Sequence, residues 1–113
     1  MHEMALAQGV VEIAEEQAAR HGARRVIEVR LEIGDLSHVE PRALAFCFDA
    51  ASRGTPAEGA RLAIRRSPGQ ATCLRCVKTF ALAARGDPCP HCGGYQVVVV
   101  AGEEMRVTDL EVE

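Results

Sequence analysis

The stretch from Cys73 to Gly94 reads CLRCVKTFALAARGDPCPHCGG and carries four cysteines in two pairs. Each pair has two residues between its cysteines, and twelve residues separate the pairs. Two thiolates at this spacing can turn inward on one tight loop, and two such loops facing each other form a tetrahedral sulfur cage. The spacing therefore predicts a zinc site with four thiolate ligands: Cys73, Cys76, Cys89 and Cys92.

A cage with four protein ligands is closed, so it predicts a structural zinc ion and not a catalytic one. A module of this size buries too little surface to fold unaided. Structural zinc offsets this with about 10–16 kcal/mol of apparent binding energy at neutral pH. The fifth cysteine, Cys47, lies between Phe46 and Phe48 and is interpreted as a small core residue rather than a reactive thiol.

Two other uses of such cysteine pairs are considered. A rubredoxin-like iron centre has similar loops, but this segment has few aromatic residues to screen one. A zinc ribbon that binds nucleic acid is the commoner use of the spacing, and it needs cations and stacking aromatics. The segment offers only a few of each: Arg75, Lys78, Arg85, Phe80 and Tyr95.

Outward from the cysteines, periodic patterns predict two helices and three strands. A helix over 4–21 has Leu6, Val10, Ile13 and Ala14 at helical spacing. Strict alternation over 25–33 predicts a half-buried strand with Ile27, Val29, Leu31 and Ile33 on one face. A second helix begins at Pro41 with a stripe of Leu44, Ala45, Phe48 and Ala51. Further strands are predicted over 61–65 and 105–112.

The order strand, helix, strand favours a parallel crossover. We therefore predict an α+β fold in which two helices pack on a small mixed three-stranded sheet, with an inserted zinc-ribbon-like module. Residues 1–67 and 103–113 form one α/β domain, and residues 68–102 form the inserted zinc-binding domain.

Composition excludes several classes of function. The net charge of −3 gives no reason to expect a nucleic-acid partner. No apolar run approaches the ~20 residues of a membrane helix, and no secretion signal is evident. In a reduced compartment, paired cysteines indicate metal ligands rather than disulfides, so a cytoplasmic protein is predicted. No nucleophile–base pair or phosphate-binding glycine loop is found, which argues against an enzyme.

The chain begins Met1-His2-Glu3. The amine of Met1, the amide nitrogen of His2 and a ring nitrogen of His2 can form fused chelate rings around one metal ion. Such near-planar nitrogen donors suit Ni(II) or Cu(II), and Glu3 or another donor could complete the fourth position. The amine and the imidazole must both lose protons, so binding weakens in mild acid. A solvated terminus with no metal role explains the same residues.

Several segments together resemble the HypA/HybF family of hydrogenase nickel-incorporation proteins over essentially the whole chain. Each segment is common by itself, but the combination is specific. The matching segments are Met1-His2-Glu3, Leu31–Ser37, Val39-Glu40-Pro41, Gly59–Leu62, the two cysteine pairs with Cys89-Pro90-x-Cys92-Gly93, and Leu110–Glu113.

This resemblance implies a nickel metallochaperone for [NiFe]-hydrogenase maturation, working with a HypB-type GTPase and the precursor of the hydrogenase large subunit. It implies a transported Ni²⁺ at His2, flanked by Met1 and Glu3, and a structural Zn²⁺ in the cysteine cage. A histidine beside the cage, here His91, is a further candidate, with an exposed loop residue as its alternative. The alternative function is a zinc-ribbon binding module for nucleic acid or protein. A homodimer, and urease as a second client, stay open.

Overall fold

The computed structural model describes residues 2–113, in which two helices and six strands occur. The strands form two three-stranded sheets, with the orders β2-β1-β6 and β4-β3-β5. Together they confirm the predicted α+β class. The elements are α1 (Glu3–Arg20), β1 (Val26–Gly34), α2 (Pro41–Ala51), β2 (Arg61–Ser67), β3 (Gln70–Cys73), β4 (Thr79–Ala81), β5 (Val97–Ala101) and β6 (Met105–Val112).

In the first sheet β1 and β6 run antiparallel. Residues just before β1 and just after β6 exchange backbone hydrogen bonds, since Arg25 N–H donates to Glu113 O at 3.1 Å and Glu113 N–H donates to Arg25 O at 2.9 Å. At the other end, Gly34 N–H donates to Glu104 O at 2.7 Å. Opposite ends of the two strands therefore meet.

By contrast, β1 and β2 run in the same direction. Val26 N–H, at the start of β1, donates to Pro56 O at 2.9 Å, ahead of β2. Asp35 N–H, just past the end of β1, donates to Ser67 O at 2.8 Å. The sheet is therefore mixed, as predicted, and α2 lies on the crossover between its two parallel strands.

Charged side chains link the three strands of this sheet. Glu28 accepts from Arg61 at 3.0 Å and from Arg30 at 2.7 Å, and Arg30 also reaches Asp109 at 2.7 Å and Glu111 at 3.3 Å. The Arg61 guanidinium lowers the pKa of Glu28, and the Arg30 guanidinium lowers the pKa of Asp109. Ion pairs thus connect β2 to β1 and β1 to β6.

The chain divides into two compact units. The first comprises Val39–Arg65, Arg106–Glu113 and the described residues up to Leu31, and it contains both helices. The second comprises Glu32–His38 and Arg66–Met105, and it contains the sheet β4-β3-β5. Most buried apolar residues of the first unit come from α1, β1 and α2, and Ala57, between α2 and β2, is buried as well. Those on the three elements are Ala7, Val10, Val11, Ala14, Ala18, Val26, Val29, Leu31, Leu44 and Phe48.

The buried face of α1 differs in part from the prediction. Val10 and Ala14 are buried as expected, but Ile13 is 44% exposed and Leu6 is only half-buried. The buried stripe instead consists of small residues one turn apart: Ala7, Val10, Val11, Ala14 and Ala18. The prediction placed the largest apolar side chains of α1 in the core. In the structure α1 contacts α2, and the buried side of α1 is the one with small side chains, which lets two helices approach closely.

Helix α2 begins at Pro41, as predicted. The carboxylate of Glu40 caps it by accepting from Ala43 N–H at 2.7 Å, and proline at the first helical position loses no hydrogen bond. Leu44 and Phe48 are buried. Ala45 and Ala51, which were predicted inward, are only half-buried.

The second unit has its own small core. Strand β3 is central and pairs antiparallel with β4 and with β5. Half-buried Val97 and Val99 of β5 pack against a buried cluster, two members of which are predicted zinc ligands. The cluster consists of Leu36, Ala71, Cys73, Phe80, Leu82 and Cys89. Among residues 2–113 there is no helix with the length and hydropathy needed to cross a membrane.

Candidate metal centres

The first cysteine pair lies on a tight loop that follows β3. Val77 N–H donates to Cys73 O at 2.9 Å, and Cys73 N–H donates to Lys78 O at 3.0 Å, so the loop is closed from both sides. The backbone N–H groups of Arg75 and Cys76 point at Cys73 Sγ from 3.4 and 3.5 Å. Oriented amide dipoles of this kind favour the thiolate form of a sulfur.

The second pair has the same hydrogen-bond pattern. Gly93 N–H donates to Cys89 O at 2.8 Å, Cys89 N–H donates to Gly94 O at 2.8 Å, and His91 N–H points at Cys89 Sγ from 3.4 Å. The two loops are therefore equivalent position by position, although their sequences share only the cysteines.

The four sulfur atoms converge. All lie within 4.8 Å of one another, with Cys73 Sγ 3.6 Å from Cys92 Sγ and Cys76 Sγ 3.7 Å from Cys89 Sγ. A Zn–S distance of about 2.3 Å places the sulfurs of a regular tetrahedron about 3.8 Å apart. These separations are also far beyond a disulfide bond, which is about 2.05 Å. The donor set therefore fits a tetrahedral ion with a preference for thiolates.

The surroundings of the cage shift the pKa values of two of its thiols in opposite directions. The backbone N–H of Cys76, followed by that of Arg75, lowers the pKa of the Cys73 thiol to about 6. The backbone N–H of Lys78 acts in the same sense on Cys76, but desolvation and the adjacent Cys89 and Cys73 outweigh it and raise the pKa of Cys76 to about 11. Cys73 is thus the thiol that these contacts make most readily available as a thiolate ligand.

One position in each loop has a left-handed backbone. The residue after the second cysteine of each pair has a positive φ, which is 66° at Val77 and 76° at Gly93. Glycine adopts this conformation freely, but for a β-branched residue it costs roughly 1–2 kcal/mol. The cysteine spacing does not reveal this strained position, because the equivalent residue differs between the two loops.

A matched pair of substitutions tests this strain. Val77 is 75% exposed, so Val77→Gly loses little burial, and we expect it to stabilise the second unit by up to about 1 kcal/mol. A Cβ at Gly93 would meet no atom within 4 Å, so in Gly93→Val only the left-handed backbone conformation is unfavourable. We therefore expect the free energy of unfolding to fall by about 1–2 kcal/mol. Urea unfolding of the metal-loaded protein, followed by amide signals of residues 66–105, measures both. Effects of the same sign would contradict the equivalence of the two loops.

At the other predicted site, His2 is exposed and is the N-cap residue of α1. Its carbonyl accepts from Leu6 N–H at 2.9 Å, while its ring makes no capping hydrogen bond. Met1 lies outside the described residues. Glu3 is 7% exposed, and its Oε2 accepts from Glu40 N–H at 3.3 Å. The start of α1 is thus tied to the start of α2, a link that no local pattern could reveal.

The other histidines and the fifth cysteine are not among the four converging sulfur ligands. His91 is exposed, and its ring meets Phe80 edge-on with centroids 6.4 Å apart. Cys47 is half-buried on α2 and is not part of the cysteine cage. His21 is the C-cap residue of α1, and His38 has a φ of 64°.

Comparison with known proteins gives a match over the whole chain. A family model described as hydrogenase/urease nickel incorporation, metallochaperone, HypA matches residues 1–112. The hydrogenase maturation factor HypA of Geobacter metallireducens is 56% identical, and HypA 2 of Bradyrhizobium diazoefficiens is 52% identical, each over 100% of both chains.

Solved structures show the same fold. The solution structure of the Ni metallochaperone HypA from Helicobacter pylori has a TM-score of 0.69 with this chain at 24% identity, covering 99% of this chain and 97% of that one. Another HypA solution structure has a TM-score of 0.74, also at 24% identity, and covers 100% and 97%. The family match and the full-length relatives together show that the chain belongs to the HypA family.

Proposed function

We propose that this chain is a nickel metallochaperone that carries Ni(II) during the maturation of [NiFe]-hydrogenase and is not itself an enzyme. The observation that carries the proposal is the HypA family match over residues 1–112, together with full-length relatives named as hydrogenase maturation factors. Because the family description also names urease, a urease client is open to the same protein.

The proposed nickel site is the start of the chain. Its donors are the amine of Met1, the amide nitrogen of His2 and the His2 ring, with Glu3 next to them. The exposure of His2 and its lack of a capping hydrogen bond support the proposal, because the ring is accessible to a metal ion and is not used to cap the helix. All-nitrogen donors in a near-planar arrangement suit Ni(II). An exposed site also allows release to a client.

The proposed role of the cysteine cage is separate and structural. Four protein ligands leave no open position for a substrate, and two of them, Cys73 and Cys89, are buried in the core of the second unit. We assign Zn²⁺ to this cage, nickel binding to the domain of residues 1–67 and 103–113, and zinc binding to residues 68–102. A cytoplasmic location keeps such thiolates reduced.

The proposed partners are those that the resemblance to the HypA/HybF family implies. The chain has no glycine-rich phosphate-binding motif, so GTP hydrolysis in the pathway is assigned to a HypB-type GTPase. The recipient of nickel is the precursor of the hydrogenase large subunit.

A nickel titration tests the proposal. We expect the native protein, loaded with one zinc ion, to bind one further Ni(II) with the visible absorption of a planar nitrogen complex. Loss of a partner that only orients a ligand costs about 10–100-fold in metal affinity, so loss of the ligand itself in His2→Ala should cost at least about 100-fold. An added residue before Met1 should have a comparable effect, because it removes the amine from the chelate. Calorimetry and absorption spectroscopy measure both.

His21→Ala is the matched control, since His21 is also an exposed terminal residue of α1. Its nickel affinity and the zinc content of every variant should equal those of the native chain. If the extended protein binds nickel as tightly as the native one, or if thiolate-to-nickel absorption appears, the nitrogen chelate is wrong.

A further inference from the structure

The four sulfur ligands of the cage differ in exposure. Cys73 and Cys89 are buried in the core of the second unit, and Cys76 is half-buried. Cys92 is exposed, although its loop has the same hydrogen-bond pattern as the loop of Cys73 and Cys76. Cys92 is therefore the corner of the cage that is most open to solvent and to reagents.

The cage is anionic when it holds zinc, because the charges of four thiolates outweigh that of the divalent ion. The stretch 70–102 around it has one carboxylate and three lysine or arginine cations. These residues are Asp87, Arg75, Lys78 and Arg85. Arg85 is paired with Glu103, whereas Arg75 and Lys78 form no ion pair within residues 2–113. Two cations of this stretch are thus available to offset the charge of the cage.

The side chain of Arg75 crosses from its own loop onto the loop of Cys89 and Cys92. A Cβ on Gly94 would lie 3.2 Å from Arg75 Cδ, 3.5 Å from Arg75 Nη1 and 3.4 Å from Cys92 Sγ. The guanidinium and the Cys92 sulfur therefore flank the same small volume, which a glycine leaves open. Gly94 itself is buried, whereas Arg75 is exposed. Arg75 is thus a surface cation placed beside the most open corner of the cage.

We infer that Arg75 is a positioning residue for the zinc cage, whose guanidinium offsets the charge of the Cys92 thiolate and so slows both the loss of zinc and the attack of electrophiles at that corner. The inference rests on the proposed assignment of Zn²⁺ to the cage. A nearby cation stabilises a metal-bound thiolate but does little for a protonated thiol. Arg75 therefore stabilises the zinc-loaded cage more than it stabilises the metal-free chain.

The same cation lowers the reactivity of the sulfur. A zinc-bound sulfur is already a thiolate, so its rate of attack depends on its nucleophilicity and its exposure. The nucleophilicity of a thiolate rises with its basicity, with a Brønsted slope of about 0.4–0.5, so a tenfold gain in basicity gives about a threefold gain in rate. Removing the guanidinium raises the basicity of the bound Cys92 sulfur. Cys92 is therefore the first cage ligand to be modified, and Arg75 sets how fast that happens.

Alkylation of the full-length, zinc-loaded protein with iodoacetamide tests the inference. The Cys92 sulfur forms a bond to the reagent carbon, and iodide leaves with the electron pair of the carbon–iodine bond. We expect Arg75→Gln, which keeps a polar side chain but loses the charge, to speed this step about threefold and to weaken zinc binding about tenfold. Arg75→Lys keeps the charge and should restore both values. Peptide mass spectrometry identifies the modified cysteine, and competition with a chelator measures the zinc affinity.

The charge of the reagent separates an electrostatic role of Arg75 from a steric one. Iodoacetate is an anion and iodoacetamide is neutral, so the guanidinium attracts only the former. The ratio of the iodoacetate rate to the iodoacetamide rate at Cys92 should fall in Arg75→Gln and recover in Arg75→Lys, whereas loss of steric cover would change both rates equally. Lys78→Gln is the matched control, because it removes the same charge from the same loop, where Lys78 N–H is bonded to Cys76. Its ratio at Cys92 should stay within twofold of the native value.

Gly94→Ala removes the same contact without changing a charge. Its Cβ would lie 3.2 Å from Arg75 Cδ and so displaces the arginine side chain from Cys92. The rate ratio at Cys92 should therefore fall in Gly94→Ala, and the same substitution should have no effect once Arg75→Ala is present, because the two residues act through one contact.

Metal analysis of the native protein separates two ways of failing. A native chain without zinc would overturn the zinc assignment and this inference together. If the chain holds zinc but another cage cysteine is alkylated before Cys92, or if Arg75→Gln and Lys78→Gln have equal effects on the rate ratio, the role of Arg75 alone is wrong.

Discussion

Cys73→Ser should unfold the second unit while the first keeps its structure. Cys73 and Cys89 are both proposed metal ligands and members of the six-residue buried cluster of that unit, so losing the metal should remove the cage and loosen the core together. A structural zinc ion contributes about 10–16 kcal/mol, which is at least as much as the whole stability of a typical domain, about 5–15 kcal/mol. The apolar residues that remain are too few to replace it.

Amide exchange and metal analysis measure this result. Residues 66–105 should lose protection in Cys73→Ser, and in native protein treated with a strong chelator, while the amides of α1 and α2 stay protected. Cys47→Ser is the control, because Cys47 lies on α2 outside the cage, and it should retain one zinc ion per chain. Full protection of residues 66–105 in metal-free protein would show that the cage is not what holds the unit together.

Gly34→Ala should destabilise the second unit by more than about 3 kcal/mol, a loss that only a few mechanisms such as backbone strain produce. A Cβ on Gly34 would lie 2.0 Å from Gly102 O and 2.2 Å from Gly102 C. These are backbone atoms, and Gly102 is itself held with a φ of 96° and with no room for a Cβ next to Gly69. Three backbone segments therefore touch where only glycine fits.

Gly9→Ala is a control of opposite sign. Gly9 lies inside α1 with no heavy atom within 4 Å of its Cβ position, so alanine should stabilise the helix by about 1 kcal/mol. Thermal unfolding of the zinc-loaded proteins, monitored for each unit by amide signals, separates the two effects. If Gly34→Ala unfolds at the native temperature, the three segments are not packed as tightly as their backbones indicate.

The proposed nickel site shows how far a terminal motif can be interpreted without tertiary structure. The donor types at His2 and Glu3 follow from three residues, and those donors suit Ni(II) or Cu(II). The link between Glu3 and Glu40 joins residues 37 positions apart, so it depends on how α1 meets α2. Glu3 therefore has a structural hydrogen bond as well as its predicted position beside the metal.

The sequence alone predicted those features of the structure that depend on residues close together along the chain. The spacing of Cys73, Cys76, Cys89 and Cys92 predicted the cage, alternation predicted β1, and proline predicted the first residue of α2. Each of these is a local rule, since ligand spacing, strand period and proline geometry all act within a few residues.

Tertiary structure alone decided which side of α1 is buried and that β5 is an edge strand. In each case the deciding partner is distant along the chain. The helical spacing of Ile13 alone allows it to face inward, and the packing of α1 against α2 decides otherwise. Likewise, a valine-rich strand becomes an edge strand or a central strand of a sheet only through the strands beside it. The free energies of side-chain burial and of strand pairing depend on those long-range contacts, and the periodicity of apolar residues along a helix or strand does not specify them.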